Sequence, residues 1–255
     1  TFPWIVAPAK PENDIAVLAA NINWNCYNNF GGRSNYIHPQ RLPATPTVNA
    51  RQDLLRYTSD IHMQFAVEDY RPVSFDRPEL LNHIPEGTRI DDPLEGRSEC
   101  HVLPAEWRLF GWLEREGFAY DLYAETQFHF GQLNLDDYKL LIISAHPEYW
   151  SQEMYFRLKE WVFERGGKLM YLGGNGLNCA VEFLDESTIT VRNSSQGGSS
   201  SDMAKIGKES RFDVYYESEA SLLGVRCTEE GIMTGAPYRA IDTSHWVFAG
   251  TGLSD

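Results

Sequence analysis

The chain has 255 residues, of which 42% are hydrophobic and 13% aromatic, as in an ordinary packed globular protein. Its 36 acidic and 22 basic residues give a formal net charge of −14, which repels nucleic acid and anionic membrane surfaces. No apolar run approaches the roughly 20 residues that cross a bilayer. We therefore expect a soluble protein that binds neither nucleic acid nor a membrane.

The cysteines are far apart in the sequence and form no CxxC pair: Cys26, Cys100, Cys179 and Cys227. This spacing suggests neither a zinc knuckle nor a disulfide framework, and it predicts reduced thiols in a cytoplasmic protein. The chain starts at Thr1 rather than at Met, and the following residues lack the pattern of a signal peptide. We expect the chain to be part of a longer polypeptide.

Predicted strands and helices alternate along the chain. Near-continuous apolar segments predict strands that are covered on both faces, as in a parallel sheet, at residues 14–20, 139–144 and 168–172. A helix over residues 105–116 is predicted to turn Trp107 towards the core and to end at Gly117, and Ser151 is predicted to cap a later helix. The alternation predicts a single α/β domain over residues 1–255 with an open, doubly wound, mostly parallel sheet.

Other regions interrupt this alternation. Residues 38–98 are rich in Pro, Asp and Arg and show little periodicity, so we interpret them as a long loop excursion. Residues 193–202 form a polar stretch of Ser, Gly and Asn that predicts a flexible loop. Residues 214–225 and 246–248 are interpreted as strands of a small β layer near the C-terminus.

Polar and aromatic side chains are concentrated in loops that follow the predicted strands: residues 21–36, 145–150 and 173–178. Ligands of open α/β sheets bind beyond the carboxyl ends of the strands, where the loops diverge. The first loop is too polar for a core and too aromatic for a solvated turn. A large loop whose Asn side chains bond to backbone groups is the alternative interpretation.

The second loop places His146 and Glu148 just before a helix. A histidine and a carboxylate two residues apart in a turn can converge on one site, as a metal ligand and a base, although such a pair is also found in ordinary capped turns. The third loop, Gly-Gly-Asn-Gly, lacks the spacing of a nucleotide-binding turn. Its glycines are interpreted as positions where the backbone approaches a ligand, with Asn175 as the polar contact.

At these loops the sequence resembles the large subunit of N,N-dimethylformamidases, in its glutamine-amidotransferase-like domain, a flavodoxin-like fold. Tyr-Asn-x-x-Gly-Gly-Arg-Ser in the first loop and His-Pro-Glu-Tyr-Trp in the second are the most specific elements. The matching stretches together extend over nearly the whole chain: residues 23–36, 73–78, 144–150, 171–176 and 219–246.

The resemblance implies a mononuclear iron, Fe(III), held by two tyrosinates and one glutamate. On the motif matches, Glu148 is the carboxylate and Tyr27 is one phenolate. Tyr70 is favoured as the second phenolate over Tyr57 and Tyr36. Three hard anionic oxygen ligands neutralise Fe(III) and leave coordination positions open for water and substrate. Without the resemblance, each tyrosine would be interpreted as a packing residue.

The implied reaction is hydrolysis of the C–N bond of small formamides, such as N,N-dimethylformamide, to formate and an amine by a bacterial enzyme. His146 would accept a proton or position a water molecule, and Asn175 would hydrogen-bond the substrate or its oxyanion. Phe30 and Trp150 would form an apolar wall for N-methyl groups.

The resemblance also implies an assembly with a small (alpha) subunit and further copies of the large subunit. The family adds a β-sandwich domain before this region and a segment with a catalytic acid after it. A glutamine-amidotransferase-like enzyme is disfavoured because no strand end offers a Cys in a nucleophile turn. A non-catalytic module that binds a carbohydrate or a partner protein is the alternative from another functional class.

Overall fold

The computed structural model describes residues 4–28, 30, 34, 72–79, 102–192, 204–227 and 240–252. Tyr36, Tyr57 and Tyr70 lie outside these residues, and so do the loop at 193–202 and all of the excursion at 38–98 except residues 72–79.

The described residues form a mixed α/β structure. Its strands are β1 (Ile15–Ala19), β2 (Val73–Ser74), β3 (Asp121–Ala124), β4 (Leu140–Ala145), β5 (Tyr149–Ser151), β6 (Lys168–Gly173), β7 (Cys179–Phe183) and β8 (Thr188–Arg192). Its α-helices are α1 (Asn21–Tyr27), α2 (Leu103–Glu116), α3 (Glu125–His129), α4 (Gln152–Phe163) and α5 (Ala220–Leu223). None of the helices in these residues is long and apolar enough to span a bilayer.

The first sheet is parallel throughout and has the strand order β3-β1-β4-β6. The apolar segments at 14–20, 139–144 and 168–172 form β1, β4 and β6, so these strand predictions are confirmed. The assignment to a doubly wound, glutamine-amidotransferase-like or flavodoxin-like fold stays a prediction.

Alternate residues of the first sheet contribute to different parts of the core. Leu18 and Ile143 belong to one apolar cluster with Trp161 of α4. Val17 and Ile142 belong to a second cluster with α2. Strand β6 is an exception to the prediction that these strands are covered on both faces. Strand β6 is the last strand of this sheet in the described residues, and its Met170 and Leu172 are 42% and 48% exposed.

Helix α2 faces the sheet with Leu103, Glu106, Phe110 and Leu113. The prediction that Trp107 faces the core is wrong, since its side chain is 60% exposed. The reason is that Glu106 takes the inward position and accepts hydrogen bonds from Ala20 and Trp24. The helix ends at Gly117, which has a left-handed conformation with φ of 74°, as predicted.

The N-terminus of α4 lies where the sequence predicts it. The hydroxyl of Ser151 accepts a hydrogen bond from the backbone N–H of Met154 at 3.3 Å, which confirms Ser151 as the cap of this helix.

The second sheet has the order β2-β8-β7-β5, with β5 and β7 parallel and the other pairs antiparallel. The small β layer was predicted near the C-terminus, and this prediction is wrong in the described residues. Residues 214–225 contain turns and α5, and Trp246–Phe248 is a 3-10 helix. Helix α5 ends at Gly224, which adopts a left-handed conformation with φ of 72°.

Candidate active site

The candidate site lies at the carboxyl ends of the neighbouring strands β1 and β4. Helix α1 follows β1 and ends with Tyr27, while His146 and Glu148 follow β4 directly. Strand β3 pairs with one edge of β1. The chain then crosses β1, and β4 pairs with the other edge of β1. This is a topological switch point, the position where open α/β sheets bind ligands.

Tyr27, His146 and Glu148 meet at this point. The phenol of Tyr27 donates a hydrogen bond to Glu148 Oε2 at 2.8 Å, and its Oη lies 2.9 Å from His146 Nε2. His146 Nε2 is 3.2 Å from the same carboxylate oxygen. Glu148 is 1% exposed, whereas Tyr27 and His146 are partly exposed. A phenol, an imidazole and a buried carboxylate thus form one triangle of polar atoms.

Two oxygen atoms of the triangle lie at the spacing of neighbouring metal ligands. Oxygen ligands of one ion with bonds of about 2.1 Å lie about 3 Å apart. Tyr27 Oη is 2.8 Å from Glu148 Oε2. Within the described residues no group of three or more His, Cys, Asp and Glu side chains could hold a metal ion. A cation bound beside the carboxylate of Glu148 could also contact the phenolate of Tyr27, as the distance between the two oxygens allows.

Two residues that the sequence did not single out lie against the other oxygen of Glu148. The thiol of Cys179 is 3.7 Å from Glu148 Oε1, and Nη1 of Arg211 is 3.8 Å from it. Nη1 of Arg211 also lies 3.4 Å from Cys179 Sγ. Burial raises the pKa of the Cys179 thiol to about 12, although the charge of Arg211 opposes the rise. No motif links these positions to residues 145–150, so sequence spacing offers no signal for them.

The two loops after β4 and β6 contain strained backbone. Ala145, Asn175 and Leu177 have φ angles of 59°, 52° and 57°, and they are the non-glycine residues with positive φ in the described part of the chain. Such conformations cost about 1–3 kcal/mol each and cluster at functional sites. The strain supports a functional site here independently of any sequence motif.

Backbone hydrogen bonds join these two loops. The N–H groups of Gly174, Leu177 and Cys179 donate to the carbonyls of Ala145, Pro147 and Glu148, at 3.0, 2.8 and 2.8 Å. A Cβ atom on Gly173 would lie 2.8 Å from the carbonyl oxygen of Ala145. This glycine therefore permits a close approach to the neighbouring backbone, whereas the sequence suggested an approach to a ligand.

Asn175 contacts a residue from a distant part of the sequence. The thiol of Cys227 donates to Asn175 Oδ1 at 2.9 Å. Burial raises the pKa of Cys227, and the negative charges of Glu148 and Glu219 raise it further. Asn175 is thus held near the acidic groups of the site by Cys227.

Phe30 and Trp150, the predicted apolar wall, lie in different surroundings. Trp150 is fully buried, and its indole N–H donates to Glu125 at 2.8 Å. Phe30 is partly exposed, and its backbone N–H donates to Asn28 Oδ1 at 3.0 Å. Their role in substrate binding stays a prediction, as does the role of Tyr70, which lies outside the described residues.

Charged side chains from other elements hold both ends of α1. Glu106 and Glu125, both buried, accept N–H bonds at its N-terminal end. At its C-terminal end the guanidinium of Arg77 donates to the carbonyls of Asn25 and Asn28, each at 2.8 Å. Hydrogen-bond acceptors at the start of a helix and positive charge at its end both stabilise it. Tyr27 is therefore presented by a firmly held helix.

A family model described as N,N-dimethylformamidase beta subunit-like, C-terminal, matches residues 1–255. A relative from Alcaligenes sp, the N,N-dimethylformamidase beta subunit, is 35% identical to this chain over 93 residues. That stretch is 36% of this chain and 12% of the relative, so the chain matches a small part of that protein's length. With the family model covering the whole chain, this protein belongs to the N,N-dimethylformamidase beta subunit-like C-terminal family.

Proposed function

We propose that this chain is the catalytic region of an amidase that hydrolyses the C–N bond of small formamides, such as N,N-dimethylformamide, to formate and an amine. The observation that carries the proposal is the triangle of Tyr27, His146 and Glu148 at the switch point of the parallel sheet. The family supports the choice of an amide as substrate. A glutamine-amidotransferase-like, flavodoxin-like scaffold is part of the proposal, supported by the strand order β3-β1-β4-β6.

Tyr27, Glu148 and, as the resemblance implies, Tyr70 would hold a mononuclear iron. When bound, Fe(III) supplies a Lewis acid that polarises a carbonyl group and makes water more acidic. The ligand set fits, because anionic oxygen atoms are the ligands that a hard cation prefers. Burial of Glu148 strengthens its attraction to a cation, since little water screens the charge.

His146 is the residue placed to move protons. Its Nε2 atom lies within 3.2 Å of both Tyr27 Oη and Glu148 Oε2, and its side chain is partly exposed, so it can accept the proton of an attacking water. The hydroxide adds to the amide carbon, and the same imidazole returns the proton to the nitrogen as the C–N bond breaks. Asn175 would donate a hydrogen bond from its amide to the oxyanion. Phe30 and Trp150 would contact the N-methyl groups.

The proposed assembly contains a small (alpha) subunit and further copies of the large subunit. The relative's description as a beta subunit supports a partner of a different kind. Light scattering on the chain with and without a co-expressed small subunit tests this part of the proposal. A fully active monomer would contradict it.

Metal analysis combined with a hydrolysis assay tests the proposed function. We expect the purified protein to contain iron, to show the visible absorption of an Fe(III) tyrosinate, and to release dimethylamine from N,N-dimethylformamide. His146→Ala should keep the iron and lower turnover by about two to four orders of magnitude. A colourless, iron-free protein that releases no amine, both alone and with the small subunit, would favour the non-catalytic binding module instead.

A further inference from the structure

Helix α1 begins without a capping side chain of its own. Its first residues follow Ala20, whose methyl group cannot accept a hydrogen bond. The free N–H groups at this end are instead bonded to carboxylates of other helices. Ala20 donates to Glu106 Oε2 of α2 at 3.1 Å, and Ile22 donates to Glu125 Oε2 of α3 at 3.2 Å. Both carboxylates are buried.

Each of the two carboxylates also accepts an indole N–H, and here they differ. Glu106 Oε1 accepts from Trp24, which belongs to α1 itself, at 2.7 Å. Glu125 Oε1 accepts from Trp150, which belongs to β5, at 2.8 Å. Trp150 is two residues after Glu148. Glu125 therefore bonds both to the helix that ends with Tyr27 and to the strand that follows Glu148, whereas Glu106 bonds to the helix alone.

A second contact joins the start of α3 to the start of α1. The amide of Asn21 donates to Thr126 Oγ1 at 3.0 Å, and the backbone N–H of Thr126 donates to Asn21 Oδ1 at 3.1 Å. Asn21 thus caps an N–H group of α3, and the two side chains are also joined. This contact lies beside the bonds of Glu125 and gives the starts of α1 and α3 a second link.

We propose that Glu125 is a positioning residue that fixes the phenol of Tyr27 against the carboxylate of Glu148, and that Glu106 has no such role. The geometric part of this inference concerns the protein alone, and its importance for catalysis rests on the proposed function. Neither carboxylate touches the Tyr27, His146 and Glu148 triangle through any contact described above, so Glu125 acts through α1 and β5.

A glutamine at either position gives a matched pair of variants. A carboxyl group, ionised or protonated, can accept N–H bonds at both of its oxygens, but a carboxamide has one oxygen and one NH₂ group, which cannot accept. Glu125→Gln must therefore turn an NH₂ group towards either Ile22 or Trp150, and one of the two bonds is lost. Glu106→Gln loses a bond to Ala20 or Trp24 for the same reason, with the same change in volume.

Fluorine NMR of the metal-free protein labelled with 3-fluorotyrosine reads the position of Tyr27 directly. The Tyr27 signal is assigned as the one that disappears in Tyr27→Phe. We expect this signal to shift or broaden in Glu125→Gln and to stay within its linewidth in Glu106→Gln. Backbone amide exchange at the start of α1 should become about tenfold faster in a variant whose glutamine no longer accepts the backbone N–H of Ile22 or Ala20. Equal responses of the Tyr27 signal in the two variants would overturn the proposal.

A second pair of variants, with smaller changes, can be measured if a glutamine variant does not fold. Trp150→Phe and Trp24→Phe each remove one indole N–H and leave both carboxylates in place. The Tyr27 signal should move in Trp150→Phe and not in Trp24→Phe, and the reverse result would also overturn the proposal. Since these readouts need neither metal nor substrate, they stay valid if the chain proves to have no amidase activity. If it is an amidase, Glu125→Gln should lower kcat about 10- to 100-fold with little change in KM.

Discussion

Helix α1 meets buried carboxylates at both ends, and the two ends differ in the groups that surround them. At the N-terminal end, Glu106 and Glu125 accept bonds from backbone and indole N–H groups, which neither titrate nor change partners easily. At the C-terminal end, Glu148 meets a phenol, an imidazole, a thiol and a guanidinium. Fixed donors make a carboxylate structural, whereas exchangeable neighbours let it bind a metal or take part in proton transfer.

Glu148→Gln tests the C-terminal end of α1 and should have the largest effect. The substitution keeps the volume of the side chain but removes the anionic ligand. We expect loss of iron and a fall in kcat/KM of at least about 10³-fold, because a Lewis acid contributes several kcal/mol to catalysis. Iron content and amine release are the measurements. Glu106→Gln is the matched control and should retain iron, so equal iron loss in both variants would remove the distinction between the two ends.

Tyr27→Phe should have the next largest effect, since it removes one ligand and the hydrogen bond to Glu148. We expect a fall in kcat/KM of about 10²-fold, together with a change in the visible absorption of the iron site. Tyr123→Phe is the control, because Tyr123 is a buried tyrosine whose phenol bonds to that of Tyr138 at 2.8 Å, away from the site. An unchanged spectrum in Tyr27→Phe would contradict the assignment of Tyr27 as a ligand.

The C-terminal end of α1 was much easier to predict from the sequence than the N-terminal end. Apolar runs predict β1 and β4, and the rule for open sheets then brings the segments after them together. His146 and Glu148 are conspicuous there as polar side chains just after a strand. Tyr27 is singled out as a ligand by the resemblance alone, and it lies at the end of helix α1 in a segment predicted as a loop.

The buried carboxylates Glu106 and Glu125 are not predicted from the sequence, for a physical reason. Patterns of hydrophobicity treat a glutamate as a surface residue, so Trp107 was placed in the core and Glu106 was not. The partners of Glu106, Ala20 and Trp24, are more than 80 residues away in the sequence, as the separations of 86 and 82 positions show. Strands β2 and β5 of the second sheet are not predicted because they have two and three residues, too few for a periodic pattern.

The pH dependence of stability tests the environment of Glu106 at the N-terminal end of α1. Burial raises the pKa of Glu106 from 4.5 to about 8, although its hydrogen bonds to Trp24 and Ala20 oppose the rise. The folded state thus binds this proton more tightly than the unfolded state. The resulting stabilisation is complete below the unfolded pKa and is lost as the pH rises through the folded pKa.

Relative to Glu106→Gln, which does not titrate, the native chain should therefore lose unfolding free energy of roughly 3 to 4 kcal/mol between pH 5 and pH 8. Urea unfolding of both proteins at the two pH values measures the difference. Titration of groups that do not interact with Glu106 cancels, whereas Glu125, whose pKa is raised by burial and also by the charge of Glu106, contributes to the difference. A difference that stays constant with pH would show that Glu106 keeps the same charge in both states.

Asn21→Ala should have the smallest effect, and it separates the strength of the N-terminal contact from the position of Tyr27. The variant removes the cap on the N–H of Thr126 and the bond to its hydroxyl, but it leaves both bonds of Glu125 in place. A lost helix cap costs about 1 kcal/mol, so the unfolding free energy should fall by about that amount while hydrolysis changes little. Asn134→Ala, which removes an exposed cap from the 3-10 helix at Leu135–Asp137, is the control and should cost less. If Asn21→Ala lowered hydrolysis as much as Glu125→Gln, the whole junction of α1 with α3 would position Tyr27, and Glu125 would have no special place in it.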